Sequence, residues 1–400
     1  MISENTADDA PQEFAKRPVI HSNIAASFTY ASYQNAVPVI RSIKLSNSTG
    51  RNLEGLALEL SADPPFLRTK TWTIDRLLHG DEIALSDRRI DLDPGYLSGL
   101  NEAERGCVSL LLKHGSEVLA EERVDVRLLA RDEWGGVDDM AQLLPAFVMP
   151  NDPAVAGLLR SAAEQLATHG HPSGLDGYQT GNPQRAYMLA ASIYSAVAGM
   201  GLHYAEPPTS FEHRGQKVRR PSTIDTERLA TCLDTSLLFA AALEGSGLYP
   251  VVLLFNGHAA TGVWLIKRTL SNSIEADGME IRKALASREL LVFETTGVTH
   301  RPAMPMDAAQ RLLEQRLDDD HVQDFIAAID VHRARSGGIT PLASHEPFRR
   351  SSADTLTPVS ALPLPAAPDI GIGPAETVEV KPTTAAGRID RWQRKLLDLT

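Results

Sequence analysis

Three side chains with complementary chemistry occur in order in the second half of the 400-residue chain: Cys232, His258 and Glu294. A cysteine can attack a carbonyl carbon, a histidine can take and return the thiol proton, and a carboxylate can fix the orientation of the imidazole. Such a set performs acyl transfer on a carboxamide or a peptide bond. Water as the acceptor makes it a protease or amidase and an amine makes it a cross-linker, and the sequence leaves this choice open.

The residues around the cysteine predict a helix. Leu233 and Leu237 begin an apolar face with helical spacing, Thr231 is suited to the N-cap, and Gly245 can end the helix. Cys232 then lies at the positive end of the helix dipole, which favours a thiolate over a thiol. We therefore expect an activated nucleophile, although a lone cysteine is more often a small buried apolar residue.

The residues around the histidine and the acid predict strands. Residues 249–255 form a short apolar run typical of a buried strand, and His258 follows it in a turn that leads into a second strand at 262–266. Glu294 lies near the end of a third predicted strand, at 290–296. A helix that carries the nucleophile thus precedes strands that carry the base and the group that orients it.

Short motifs around these residues resemble those of a transglutaminase-like, papain-related domain. The similarity is closest to one subgroup, a domain-of-unknown-function family that follows an N-terminal β-sandwich at the front of large bacterial superfamily-one helicase proteins. It extends over nearly the whole chain. The segments that carry it are Cys232-Leu233-Asp234, Gly247-Leu248, Gly257-His258-Ala259, Glu294-Thr295-Thr296, Gln179, Pro183-Gln184-Arg185, Tyr204-Ala205-Glu206-Pro207-Pro208 and Gly215-Gln216-Lys217.

Two positions depart from the pattern of that family. Glu294 stands where most transglutaminase-like domains have aspartate, a kind of variation known in this subgroup. Ala230 stands where a glycine usually precedes the Thr-Cys pair, and this change can alter the turn that presents the cysteine.

The resemblance implies a triad of Cys232, His258 and Glu294 that acts on a protein or peptide substrate without a cofactor or a metal. The backbone N–H of Cys232 would hold the oxyanion, and Gln216 is the candidate second donor, as a glutamine is in papain-like enzymes. A solvated loop residue is the alternative interpretation of Gln216. The resemblance also implies a helicase region further along the full-length chain.

A second hypothesis is a domain that binds a protein and catalyses nothing. It would regulate or target the attached helicase, for instance in defence against foreign DNA, and this idea depends on the resemblance alone. The occurrence of all three triad residue types in order favours the enzyme, because chance rarely retains the whole set.

The composition is that of a globular protein, with 43% hydrophobic and 22% charged residues. A net charge of −12 argues against direct nucleic-acid binding by this part of the protein. The two cysteines, Cys107 and Cys232, are too few for a disulfide framework and fit a reducing compartment, so we expect a cytoplasmic protein. The sequence predicts neither a signal peptide nor an apolar run long enough to span a membrane.

The first part of the chain has the period-two pattern of β-strands. Leu56, Leu58 and Leu60 share one face, and turn signals separate about six or seven runs of this kind. The spacing predicts an immunoglobulin-like β-sandwich at 21–130, behind a disordered N-terminus at 1–20.

Residues 131–335 are assigned to the transglutaminase-like α+β domain. Asp152 precedes a proline, which predicts a helix start, and 306–335 has the spacing of a further amphipathic helix. His169 and His171 lie close together in the sequence, but no further metal ligands accompany them. No metal site is therefore predicted.

The remaining residues predict a linker and the start of another region. Residues 336–387 are rich in Pro, Ala, Thr and Ser, which is typical of a disordered linker. Residues 388–400 begin an amphipathic helix and resemble the region that precedes the helicase in the same subgroup. The predicted fold class is α+β multidomain, and we expect the chain to be the N-terminal portion of a larger protein.

Overall fold

Helices and several β-sheets both occur along the chain, which is the mixed α+β class that the sequence predicts. A computed structural model describes residues 17–318, 324–343 and 362–368. These residues contain no helix that is both long enough and apolar enough to cross a membrane.

Alternating apolar and polar residues form the long strands of the first part of the chain. Its strands are β1 (Val19–Ile24), β2 (Ser27–Phe28), β3 (Ile40–Ser46), β4 (Leu53–Asp63), β5 (Lys70–Leu77), β6 (Glu82–Ala84), β7 (Glu104–His114) and β8 (Glu117–Leu128), and its helices are α1 (Tyr30–Gln34) and α2 (Pro94–Gly99). They form sheets with the strand orders β2-β8-β7-β4-β5 and β1-β3-β6. Leu56, Leu58 and Leu60 of β4 are buried on one face, as their alternation predicts.

The start of β1 corrects the predicted N-terminal boundary. β1 begins at Val19, inside the segment 1–20 that was predicted to be disordered, because Ile20 is buried and the strand pairs with β3. Residues 1–16 lie outside the described part of the chain.

The second part of the chain combines a mainly antiparallel sheet with helices. Its strands are β9 (Glu133–Trp134), β10 (His203–Tyr204), β11 (Gln216–Lys217), β12 (Leu229–Ala230), β13 (Pro250–Phe255), β14 (His258–Trp264), β15 (Ile274–Glu275), β16 (Leu290–Phe293) and β17 (Phe325–Asp330). Its helices are α3 (Val137–Met140), α4 (Pro153–Thr168), α5 (Pro183–Ala198), α6 (Phe211–Arg214), α7 (Pro221–Glu227), α8 (Cys232–Gly245), α9 (Gly278–Ala286), α10 (Met306–Arg316) and α11 (Val331–Ser336), with 3₁₀ turns at Ala141–Phe147 and Thr296–Thr299. The main sheet has the antiparallel order β15-β17-β13-β14-β16.

Helix α8 lies at the centre of this part of the molecule. It packs against β13 and β14 on one side and against α4 and α5 on the other. Every residue from Cys232 to Leu243 is buried. The helix and its N-cap are where the sequence predicts them, but the prediction of an amphipathic helix is wrong, since the helix is enclosed on all sides.

Strand β17 corrects a second prediction. The spacing predicts one helix over 306–335, but α10 ends at Arg316 and the run from Phe325 to Asp330 pairs with β13 and β15 inside the sheet. A short apolar run fits a helix or a buried strand equally well, and the neighbouring strands decide here. Asp330 then caps α11 by accepting from the N–H of Arg333.

The described residues after α11 have no helix or strand but are held by hydrogen bonds. Thr340 and Ala343 donate their N–H groups to the side chains of Asn35 and Gln34 at the end of α1, at 2.7 and 2.8 Å. The carbonyl of Leu362 accepts from the hydroxyl of Ser195 at 2.7 Å. The rest of the predicted linker and the helix predicted at its C-terminal side lie outside the described residues.

Candidate active site

A double hydrogen bond fixes the turn that carries Cys232. The Thr231 hydroxyl accepts from the N–H of Asp234, and the Asp234 carboxylate accepts from the N–H of Thr231 at 2.9 Å. This capping box satisfies donors that a helix start leaves unpaired. Arg219 holds the same carboxylate through its N–H at 2.8 Å and its guanidinium at 2.9 Å. The first turn of α8, with Cys232 as its first residue, is therefore firmly positioned.

His258 and Glu294 meet across two neighbouring strands. His258 opens β14 and Glu294 directly follows β16, and the imidazole Nε2 lies 2.7 Å from Glu294 Oε2. The strands pair antiparallel with Thr261 opposite Phe293. Continued by one residue, this register places Glu294 opposite Ala260, so that His258 is its diagonal neighbour on the same face. Diagonal neighbours lie about 7–8 Å apart and need long side chains to touch, which explains glutamate in place of aspartate here.

The carboxylate of Glu294 is held at both oxygens. Oε1 accepts from the backbone N–H of Thr296 at 2.9 Å and from its hydroxyl at 2.8 Å, while Oε2 faces His258. Burial raises the pKa of Glu294, but the hydrogen bond and the charge of His258, together with the Thr296 donors, lower it below its ordinary value. The acid is therefore ionised and fixed in direction near neutral pH.

The thiol of Cys232 is enclosed and protonated. Burial raises its pKa to about 11, although the N–H of Ala259, the hydroxyl of Tyr204 and the N–H of Leu233 each donate towards the sulfur and lower it. The predicted thiolate is thus wrong for the resting protein, because burial outweighs the helix end and its donors. At neutral pH the nucleophile needs a base to remove its proton.

Backbone contacts bring the sulfur close to β14, the strand that His258 opens. Ala259, whose N–H donates towards the sulfur, directly follows His258 in β14. Because Nε2 of His258 is engaged by Glu294, Nδ1 is the ring nitrogen left to take a proton. The ring and the acid are therefore in direct contact, and the sulfur lies beside the residue that follows His258.

Gln216 is adjacent to the nucleophile but bonded to the helix cap. The residue is only 4% exposed, which excludes the solvated loop residue that was the alternative interpretation. Nε2 donates to the Thr231 hydroxyl at 2.9 Å, and Oε1 is buried without a hydrogen-bond partner among the described residues. The amide is thus one residue away from Cys232 with one polar atom unused.

Two glycines allow the backbone crossing that places Gln216. β11 pairs with β9, and Gly215 has φ +83 where a Cβ would lie 1.7 Å from the carbonyl oxygen of Trp134. Gly136 has φ +85, and a Cβ there would lie 2.0 Å from the carbonyl oxygen of His213. Any larger residue at either position would push the two segments apart.

No role was predicted from the sequence for several residues that the structure places in the site. The Thr295 hydroxyl lies 3.0 Å from that of Thr235 and 3.1 Å from that of Ser236, which joins α8 to the chain beside Glu294. Tyr204 was part of the family resemblance, but no role was predicted for it. Its strand pairs with β12, directly before the N-cap, and this brings the phenol to the sulfur.

The remaining candidates are the two histidines that lie close together in the sequence. His169 and His171 are exposed at the end of α4. Within residues 17–318, 324–343 and 362–368, no three His, Cys, Asp or Glu side chains are grouped so as to hold a metal ion.

Comparison with known proteins does not assign the chain to a family. No family model, no curated protein and no solved structure matches it.

Proposed function

We propose that the chain is a cysteine acyl-transfer domain of the transglutaminase-like, papain-related type. The observation that carries the proposal is the 2.7 Å contact between His258 and Glu294 beside a cysteine that opens a buried helix. An ordinary ion pair at the surface does not require a buried carboxylate that is held at both oxygens, as Glu294 is. This arrangement matches the roles of nucleophile, base and orienting acid.

The proposed reaction begins with proton transfer from the thiol to Nδ1 of His258. The sulfur of Cys232 attacks the carbonyl carbon of a carboxamide or peptide, and the charge of Glu294 stabilises the imidazolium that forms. The imidazolium then gives its proton to the leaving amine as the carbon–nitrogen bond breaks. The thioester that remains is released by water, which His258 deprotonates in its turn, or by a primary amine.

The oxyanion needs two donors, and the helix start supplies one. The N–H of Cys232 belongs to the first turn of α8, where backbone donors have no partner within the helix. Gln216 supplies the second if its amide turns by 180°. The Thr231 hydroxyl then donates to Oε1, and Nε2 takes the place of the buried oxygen that now has no partner. This exchange leaves no acceptor unpaired and frees a donor beside the nucleophile.

The finer fold assignment forms part of the same proposal. We assign the two sheets of the first part to an immunoglobulin-like sandwich and the second part to a papain-related α+β domain. We further propose a cytoplasmic protein with a C-terminal helicase region in the full-length chain and a protein or peptide substrate. Both cysteines are free thiols, which supports a reducing compartment.

A non-catalytic binding module is the second candidate, and one observation favours it. Cys232 is 0% exposed, so a substrate cannot reach the sulfur without movement of its surroundings. A site that had lost its function would also keep a buried, protonated thiol.

A peptide-based electrophile that traps cysteine nucleophiles separates the two candidates. The background is Cys107→Ser, because Cys107 is a second free and partly exposed thiol. Labelling of Cys232 at neutral pH that is lost in His258→Ala supports the enzyme. Labelling that is equal in His258→Ala, or that occurs only in denaturant, supports the binding module.

A further inference from the structure

A cleft lined by basic residues lies at the end of α8 remote from Cys232. It has a volume of about 490 Å³. Its lining, here called the basic cleft, consists of Tyr249, Lys267, Arg268, Thr269, His332, Arg333 and Ser336. No carboxylate is among these residues, in a protein whose net charge is −12. The 14 residues of α8 separate this end from the nucleophile by about 20 Å at about 1.5 Å per residue.

The positive charges of the basic cleft are only partly neutralised. Arg268 pairs with Glu289 and lies over the Trp264 ring at 5.4 Å. Lys267 and Arg333 are exposed, and their side chains form no ion pair within the described part of the chain. Two cations that share a cleft without a counter-ion repel each other, so an anion between them is favoured.

Asp330, the acid that caps α11, does not neutralise this charge. Asp330 is buried behind the cleft and accepts from the indole N–H of Trp264 at 3.2 Å, the N–H of Leu270 at 2.8 Å and the N–H of Arg333 at 2.8 Å. Burial raises its pKa in spite of these donors and of the charge of His332. Because its oxygens already accept three hydrogen bonds inside the protein, the carboxylate of Asp330 is not available to pair with the cations of the basic cleft.

A stacked aromatic pair forms the wall of the basic cleft. The rings of Tyr249 and His332 are nearly parallel, with centroids 3.5 Å apart at 8°. Tyr178 meets Tyr249 edge to face at 5.0 Å, and its hydroxyl donates to the carbonyl of Trp264 at 2.6 Å. Rings fixed in this way give the cleft a preformed side, which reduces the entropy lost on binding.

A second compartment of about 410 Å³ adjoins the basic cleft and shares Tyr249 and Lys267 with it. Its floor is backbone, because Gly177 and Gly247 approach so closely that a Cβ on Gly177 would lie 2.7 Å from the Gly247 carbonyl oxygen. Gln179 is among the polar residues of its lining. The acid of this compartment, Asp176, is paired with Arg185 at 2.8 Å and is not available to repel an anion.

We propose that the two compartments bind a phosphate monoester of a small hydroxylated molecule, with the phosphate between Lys267 and Arg333. Ammonium and guanidinium groups are donors only, and a phosphate dianion is an acceptor only, so their hydrogen-bonding capacities match. The organic part occupies the second compartment, where Gln179 and the glycine backbone offer polar groups. This site is independent of the cysteine chemistry proposed above.

Calorimetric titration at constant ionic strength tests the proposal, with inorganic phosphate and ribose 5-phosphate as the two probes. The test variant is Lys267→Gln with Arg333→Gln. The control variant, Lys283→Gln with Arg311→Gln, makes the same change of charge at exposed pairs on α9 and α10. The altered side chains of the test variant are exposed, so equal unfolding midpoints in the two variants verify that both are folded.

The expected result is that both probes bind the wild type and the control, and that the test variant binds each at least about tenfold more weakly, because two charge-assisted contacts are lost. Ribose 5-phosphate should bind more tightly than phosphate, and Gln179→Ala should reduce only the former. Absence of heat with wild type, or equal affinities in test and control variants, overturns the site. Equal affinities for the two probes overturn the role of the second compartment.

Discussion

At the scale of single residues, Glu294 connects the main sheet to His258, the base of the proposed reaction. Its carboxylate accepts from Thr296 on one oxygen and faces His258 on the other. Two donors at Oε1 restrict the rotation of the carboxylate, and its contact with Nε2 directs Nδ1 of the imidazole away from the acid. The extra methylene relative to aspartate is needed because the two residues are diagonal neighbours and not directly opposite.

We expect Glu294→Gln to lower turnover by as much as about 10⁴-fold, the loss associated with the corresponding triad change in serine proteases. The amide keeps the shape but loses the charge that stabilises the imidazolium. Glu294→Asp should lose less, since only reach is reduced. The measurement is the turnover of an identified substrate or the rate of trapping of Cys232 at neutral pH. Glu280→Gln, which changes an exposed acid on α9, is the control, and a Glu294→Gln protein with unchanged rates would exclude Glu294 from the site.

The raised pKa of the Cys232 thiol predicts how its rate of alkylation depends on pH. Because burial raises the pKa of Cys232 to about 11, alkylation by a neutral reagent should accelerate up to about pH 11 in Cys107→Ser protein. The site must open before the reagent reaches the thiol, and an opening step that does not depend on pH lowers the alkylation rate equally at every pH. The pH at which the rate is half-maximal is then unchanged. A rate that levels off below pH 8 would mean that a thiolate exists in the resting protein. The raised pKa also stabilises the fold fully below the ordinary thiol pKa, and this contribution is lost as the pH rises through about 11.

The sequence predicts which residues form the candidate site better than it predicts their protonation and their neighbours. Cys232, His258 and Glu294 stand out because their order and the local helix and strand patterns can be recognised without tertiary information. The protonation of the thiol cannot be predicted in this way, since burial by distant segments outweighs the helix end that the sequence does reveal. The same holds for Tyr204, whose position depends on a strand pair formed with β12.

At the scale of elements, local capping signals were reliable and the helix-or-strand choice for short apolar runs was not. Asp152 accepts from the N–H of Ala154 and begins α4 with a proline in its first turn, as predicted. The run from Phe325 to Asp330 became a strand because β13 and β15 flank it, and sequence spacing carries no information about such neighbours.

The capping box of α8 gives a prediction at this scale. The carboxylate of Asp234 is fully buried and accepts from two backbone N–H groups and from the Arg219 guanidinium. Asp234→Ala leaves these three donors without their acceptor. We expect the free energy of unfolding to fall by about 3 kcal/mol, since buried donors without partners cost about 1–3 kcal/mol each. Chemical denaturation measures it. Asp225→Ala, which removes an exposed pair with Arg228, should cost less than about 1 kcal/mol, and equal losses in the two variants would contradict this account.

At the scale of the whole molecule, the residues after α11 connect the two parts of the fold. Thr340 and Ala343 bond to the side chains of Asn35 and Gln34, while the carbonyl of Ala146 accepts from the N–H of Leu342 at 2.8 Å. The segment therefore contacts both the first part and the second. It belongs to the predicted linker, yet within the described residues it is a bound connection.

This connection gives the last prediction, measured by hydrogen exchange. In the wild type the amides of Thr340 and Ala343 should be protected, because each donates to a side-chain carbonyl oxygen of α1 that lies more than 300 positions earlier. The double variant Gln34→Ala with Asn35→Ala removes both acceptors, and the Gln34 amide no longer donates to the carbonyl of Pro341 at 2.7 Å. Exchange at both amides should then accelerate about tenfold or more, as expected when a hydrogen bond of roughly 1–1.5 kcal/mol is lost at each. Gln310→Ala, which alters a surface pair on α10, should leave both amides unchanged. If the two amides exchange equally fast in wild type and double variant, the side chains of α1 do not hold the segment, and the two parts of the fold are joined by other contacts.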